Sequence, residues 1–258
     1  MSRPVGTEVR DGIGIVRVDN PPVNALSNAV RAGIAAAVDA LAADQEVGTI
    51  LVACVGRTFI AGADITEFGK PRQPPSLAEI CDRIEASPKP VVAALHGTAL
   101  GGGFEIALAC HHRIADAGAR MGLPEVKLGL IPGAGGTNRL ARIAGAAAAL
   151  ELVSSGAQVS AEKAQALGLV DRIAAGALEE EALAFAREVA GTTPRPTRDR
   201  RPPDTGDPAF EAAAEALLRK THGQEAPPLD DLRPLESWEQ DEDLKASFEH
   251  MLQSRGWR

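Results

Sequence analysis

The chain has 258 residues and a formal net charge of −8, long enough to bury a core as one large domain or a domain with an appendage. Its acidic balance, with basic residues clustered only near Arg195–Arg201, argues against broad nucleic-acid binding, although local backbone amides and a few lysines can still hold an anionic small molecule. No apolar run reaches bilayer length, the first residues lack a signal-peptide core, and the three cysteines (Cys54, Cys81, Cys110) are odd in number and widely spaced, so a soluble cytoplasmic protein with reduced, buried thiols is expected.

In chain order, residues 7–19 carry two β-type runs around a glycine turn and read as a hairpin. Asn20-Pro21-Pro22 stops the second strand, and Ser27 opens a helix to about Ala43 with Val30, Ile34, Val38 and Leu41 on one stripe. Thr49–Val55 is a buried strand. A loop follows, Gly56–Gly69, in which Ala61-Gly62-Ala63-Asp64 is either a tight turn or a close approach to a ligand; for Asp64 an Asx-turn is the safer reading. A helix is predicted over Ser76–Ala86, a buried strand over Val91–Leu95, a helix over Gly102–Ala109, a strand near Arg113–Ala115 and a short helix started by Pro124. Helices are then expected over Thr137–Ser154 and Ala161–Leu167, a strand from Gly168, and an amphipathic helix over Leu178–Ala190. The alternation of strands and helices indicates an α/β fold with crossover helices. Thr192–Pro208 is rich in Pro, Arg and Asp and reads as an exposed linker or long loop, so that a core (1–190) precedes a linker with a helical tail (191–258). Helices are expected over Phe210–Lys220 and Leu235–Gln253, the second with a stripe of Trp238, Leu244, Phe248, Met251 and Leu252.

Chemistry concentrates between His96 and Leu140. Two glycine clusters, Gly101–Gly103 and Gly133–Gly136, each lead into a helical pattern, and each lies near a glutamate, Glu105 or Glu125. Glycine at a helix opening lets N–H groups approach a ligand oxygen with the helix dipole behind them. Each glutamate also has a plain reading as a first-turn helix residue, and spacing alone does not show that they meet. The glycines do not fit a dinucleotide or P-loop register. His111 and His112 lack ligand-like neighbours in sequence and read as structural, and His96 lies at a strand end.

The segments FIAGADITEF (59–68), KPVVAALHGTALGGGFEIALACHHRIA (89–115) and LPEVKLGLIPGAGGTNRL (123–140), with NPPVNALS (20–27) and ALGLVDRI (166–173), resemble in order the enoyl-CoA hydratase/isomerase (crotonase) superfamily. The resemblance covers most of residues 5–190. It implies a crotonase-like spiral of β-β-α units and an acyl-CoA thioester substrate. It places the oxyanion-hole N–H groups at Ala63 and Gly102, the acid–base pair at Glu105 and Glu125, and a water-positioning amide at Gly133. Ala61, Gly62, Asp64 and Ile65 map to the substrate- and CoA-binding stretch. The implied reaction is hydration of a 2-trans-enoyl-CoA to a 3-hydroxyacyl-CoA, as in fatty-acid β-oxidation; the alternatives are Δ3,Δ2-enoyl-CoA isomerisation, another reaction of this superfamily, or a non-catalytic acyl-CoA-binding subunit. No metal or redox cofactor is implied, since CoA arrives with the substrate. A homo-oligomer, trimer or hexamer, is expected by resemblance. FIAGADITEFGKP and HGQEAP (222–227) resemble the hydratase portion of hydratase/3-hydroxyacyl-CoA dehydrogenase multifunctional enzymes, although a dehydrogenase portion is not expected within a sequence that stops at Arg258.

Overall fold

The structure is a computed structural model and describes residues 3–67, 71, 73–128, 130–203, 208, 212 and 215. The stripe from Trp238 to Leu252 and the helix expected over Leu235–Gln253 lie outside the described residues, as does most of Phe210–Lys220.

In chain order the strands are β1 (Val5–Arg10), β2 (Ile13–Val18), β3 (Thr49–Cys54), β4 (Val91–Leu95), β5 (Thr98–Leu100), β6 (His112–Ala115), β7 (Arg120–Gly122), β8 (Val159–Ser160) and β9 (Arg172–Ile173). The helices are α1 (Asn28–Ala43), α2 (Leu77–Glu85), α3 (Gly102–Ala109), α4 (Gly136–Ala144), α5 (Ala146–Ser155), α6 (Ala161–Ala166) and α7 (Leu178–Val189), with 3-10 turns at Ile65–Glu67, Pro124–Leu128 and Thr197–Asp199.

The hairpin β1–β2 turns on Asp11 and Gly12, both at positive φ, which is the two-residue turn whose twist matches the strands. The remaining neighbours in the six-stranded sheet, ordered β1-β2-β3-β4-β6-β9, are parallel. Both faces of this sheet are covered, which is why its strands read as continuous apolar runs. Val16, Ile50, Val52, Ala93 and Leu95 face the main core with α1, α2 and α3. Ile13, Ile15, Leu51, Val92 and Ala94 face α7 through Ala182, Phe185 and Ala186.

A second, three-stranded sheet, β5-β7-β8, is missing from the strands expected from sequence, because its members are two or three residues long and carry no period. It is continued by two isolated parallel bridges, Ile60↔Ala99 and Leu26↔Ala63. Each turn of the chain therefore lays one long strand in the first sheet and a short extended piece in the second, and then enters a helix. This is the spiral of β-β-α units that the resemblance implies. Gly97 makes one of these kinks: its φ is +55°, and a Cβ there would lie 2.0 Å from the Arg57 carbonyl oxygen.

Three further differences have local causes. The helix expected over Thr137–Ser154 is two helices, because Gly145 (φ 90°, ψ 158°) ends α4 and caps α5. The strand expected from Gly168 begins at Arg172, since Leu169 and Val170 are core plugs. The long loop after α7 is anchored where Thr197 is buried and its hydroxyl donates to the Leu108 carbonyl at 3.3 Å.

The core helix α3 ends against a cation. Arg113 is fully buried; its Nη1 donates to the carbonyls of Ala107 and Cys110 and its Nε to that of Leu169, with Asp171 at 3.6 Å. Those carbonyls have no water to turn to. Arg113→Met should cost about 3–5 kcal/mol, read as a lower urea midpoint with an unchanged m-value.

Candidate active site

The site is assembled where the second sheet hands the chain to α3. Leu100 pairs in register with Gly122, and Gly101 N–H donates to the Gly122 carbonyl at 2.9 Å. Two residues past Leu100 the chain enters α3; three residues past Gly122 it reaches Glu125. The pairing thus brings Glu125 to the start of α3, where its Oε1 lies 3.1 Å from the place a Cβ on Gly101 would occupy. This is how residues 20 apart in sequence are brought to one helix end.

The glycines of α3 make room. A Cβ on Gly102 would lie 2.6 Å from a Leu77 methyl and 3.0 Å from a Leu26 methyl; one on Gly103 would lie 2.2 Å from the Ile60 carbonyl oxygen. Residues 60–63 therefore run against the opening of α3. They are held there by Leu100 N–H on Ile60 O (3.0 Å) and Leu26 N–H on Gly62 O (2.9 Å). Among the described residues the N–H groups of Ala63 and Gly102 donate to no protein acceptor, so two backbone donors remain unengaged beside the positive end of a buried helix. Ala61 N–H is taken by Val23 O, and Asp64 Oδ1 accepts from Thr66 N–H at 2.9 Å, the Asx-turn expected for it. Of Ile65 the structure describes only the backbone, at the start of a 3-10 turn.

Glu105 is 2% exposed. Its Oε1 accepts from Ala134 N–H (2.8 Å) and Gly136 N–H (2.9 Å), both in the second glycine cluster. Its carboxylate is thus committed to another element and makes no capping bond to α3. Gly136 must be small for this, because a Cβ there would be 2.8 Å from Glu105 Oε1. Gly133 is exposed, and its own N–H has no protein partner among the described residues.

The two carboxyls have unlike surroundings. Burial pushes the Glu105 pKa up, while the two amides and the Arg139 charge pull it back. Burial also raises Glu125, to about 7, with a further contribution from Glu105; its Oε2 is buried without a partner. Glu105 thus has two donors and a cation that favour its anion, whereas Glu125 has a buried oxygen with none. Their titrations belong to the pair.

Sequence reasoning missed the group that holds this arrangement from behind. Arg139, buried on α4, donates through Nη1 to Ala134 O (2.7 Å) and pairs through Nη2 with Glu85 (2.9 Å) and Asp82 (3.2 Å). The available signal was its position at the inward face of α4 with Gly136 and Leu140. The histidines behave as expected: His111 is buried between Val91 N–H and the Glu85 carbonyl, and His112 stacks edge-on to Phe185. His96 Nε2 meets Gly56 O at 3.1 Å.

Two measurements follow from this geometry. Gly103→Ala should destabilise far more than Gly102→Ala, because backbone at 2.2 Å cannot yield as a leucine side chain can; thermal melts of the two variants give the order. The folded chain also holds a proton on Glu125 that the unfolded chain has released by about pH 4.5. That stability is present below the unfolded value and is lost as pH rises through about 7. Denaturant melts of Glu125→Gln should therefore gain on the wild type between about pH 5 and about pH 8.

The family model described as enoyl-CoA hydratase/isomerase matches residues 8–199. A peroxisomal bifunctional enzyme of Danio rerio is 45% identical over 85% of this chain and 31% of its own length, so the chain spans about a third of that relative. A Bacillus subtilis protein named "Probable enoyl-CoA hydratase" is 44% identical over 71% of this chain and 74% of its own. Among solved structures, an enoyl-CoA hydratase from Mycobacterium tuberculosis superposes with a TM-score of 0.69 at 30% identity, covering 87% of this chain and 84% of that one. No helix among the described residues is long and apolar enough to cross a membrane. With both glycine clusters and both glutamates inside the matched residues, the chain belongs to the enoyl-CoA hydratase/isomerase family.

Proposed function

We propose that this chain adds water reversibly to a 2-trans-enoyl-CoA, giving the 3-hydroxyacyl-CoA. The observation that carries the reading is the pair of unlike carboxyls, Glu105 and Glu125, at a helix opening beside the unengaged N–H groups of Ala63 and Gly102. In this reading the thioester oxygen sits between those two N–H groups, which stabilise negative charge as it develops there. Glu105, whose Oε1 accepts from two amides that favour its anion, takes a proton from water as the water oxygen bonds to Cβ. Glu125 delivers its proton to Cα as the enolate collapses. The proton then rests on Glu105 in place of Glu125, and exchange with solvent resets the pair. The free Gly133 N–H is suited to orient the water. Ala61, Gly62, Asp64 and Ile65 line the approach of the CoA moiety. No electron leaves the substrate, so the scheme calls on no redox group, and CoA is part of the substrate itself.

The three free, buried cysteines support a reducing compartment such as the cytoplasm. Val126, Leu128 and Leu130, exposed beside Glu125, support association of copies into the expected trimer or hexamer.

A second reading, Δ3,Δ2-enoyl-CoA isomerisation, is favoured by one observation: Glu125 has an unpartnered oxygen while Glu105 is already engaged by two amides. It needs Glu125 alone as the proton shuttle.

With crotonyl-CoA, hydration is followed as loss of the conjugated-thioester absorbance. Glu105→Gln and Glu125→Gln should each lower kcat by on the order of 10²–10⁴-fold. The wild-type kcat/KM should fall on the acid side as Glu105 is protonated, and on the basic side as Glu125 ionises near pH 7. Wild-type turnover in either variant would sink the hydratase reading. A Glu105→Gln variant that still isomerises a 3-enoyl-CoA would place both activities in one site.

A further inference from the structure

A buried ion pair, Arg139 with Glu85, lies behind the second glycine cluster. Arg139 and Glu85 are 6% and 1% exposed, and such pairs are frequently replaced by apolar residues at no loss of stability. Their geometry points instead towards Glu105. Arg139 Nη1 holds the Ala134 carbonyl, and the N–H of that same residue donates to Glu105 Oε1. Gly135, at φ +84°, then turns the chain so that Gly136 N–H reaches the same oxygen. A Cβ on Gly135 would lie 2.6 Å from Arg139 Nη1, so the glycine leaves the space the guanidinium fills. The guanidinium is itself fixed by Glu85, whose other oxygen accepts from Arg198 N–H at 2.8 Å in the turn anchored by Thr197.

We propose that Arg139, seated on Glu85, is a positioning residue: by clamping Ala134 it keeps the Ala134 and Gly136 amides on Glu105 and so sets the orientation and charge of that carboxylate. This rests on the reading of Glu105 as the group that deprotonates water. The clamp is specific to a fork, since one end must reach a carbonyl while the other meets a carboxylate. The titratable and charged groups facing Glu105 are Arg139 from α4, Glu125 from the turn after β7, and Cys81 from α2, whose thiol burial keeps protonated; Asp82 and Glu85 face Arg139.

The test compares wild type with Arg139→Lys and with the double variant Arg139→Met/Glu85→Gln, which avoids stranding a buried carboxylate. For the folded double variant, kcat for crotonyl-CoA should fall about tenfold to a hundredfold with KM within about twofold, since binding is untouched and only the geometry of proton transfer changes. The acid limb of kcat/KM should move to higher pH, because Glu105 loses a nearby positive charge and firmly held donors. Arg139→Lys should recover part of the pH shift but little of kcat. Independently of activity, titration of the 13C-labelled glutamate carboxyls, with Glu105 assigned by Glu105→Gln, should show the Glu105 pKa higher in the double variant. A folded double variant with wild-type kcat, or with lowered kcat and an unmoved Glu105 titration, overturns the proposal. Absence of hydration in the wild type would strike the functional reading instead, and the carboxyl titration would still decide the role of Arg139.

Discussion

Everything in this molecule turns on a helix whose eight residues are all buried. Such a helix leaves N–H groups at one end and carbonyls at the other that its own chain cannot satisfy, and no water reaches most of them. The two ends are treated oppositely. At the C-terminal end Arg113 spends a buried cation on the carbonyls of Ala107 and Cys110. At the N-terminal end Gly101 offers no side-chain cap, and among the described residues the Gly102 N–H donates to no protein acceptor. In the proposed reading, that bare end is where the thioester oxygen of the substrate is received.

The carboxyls around the open end are differentiated by what surrounds them, not by residue type. Both are glutamates, and both are pushed towards the protonated form by burial. Glu105 receives two amides and the field of Arg139; Glu125 has an oxygen with no donor and a neighbouring carboxylate. Opposed environments of this kind let one side-chain chemistry act as both base and acid within a narrow pH range. The same opposition explains why Glu125 cannot be judged by its own helical turn: its partner is set by β7 lying beside β5.

That cross-strand placement also marks the limit of what the sequence could say. The long strands and α1, α2, α3 and α7 were legible, because each carries an apolar run or stripe bounded by Pro, Ser or Gly; Ser27 and Ser76 cap their helices as their positions suggest. The second sheet was not, because Thr98–Leu100, Arg120–Gly122 and Val159–Ser160 are too short to show a period. Without that sheet the meeting of Glu105 and Glu125 stayed open on spacing alone, and the family resemblance supplied their roles. Arg139 was hidden for another reason: a charged residue at an inward helical position looks like surface until its partners, Glu85 and the Ala134 carbonyl, are seen in space.

The glycine clusters are where sequence habit misleads most. Glycine-rich openings of helices invite comparison with phosphate loops, in which the backbone is bared to grip an anion. Here four glycines clear four different obstacles. Gly101 makes way for the Glu125 carboxyl, Gly102 for Leu77, Gly103 for the Ile60 carbonyl and Gly136 for the Glu105 carboxyl. Two of these obstacles are the acid–base candidates themselves, and a third belongs to the segment that carries Ala63. The glycines therefore act as absences of side chain that let three separately built pieces of backbone close on one helix end. A larger residue at Gly101 or Gly136 would press directly on a carboxyl, and one at Gly103 on the segment that carries Ala63, whereas at Gly102 it would meet only leucine side chains that can give way.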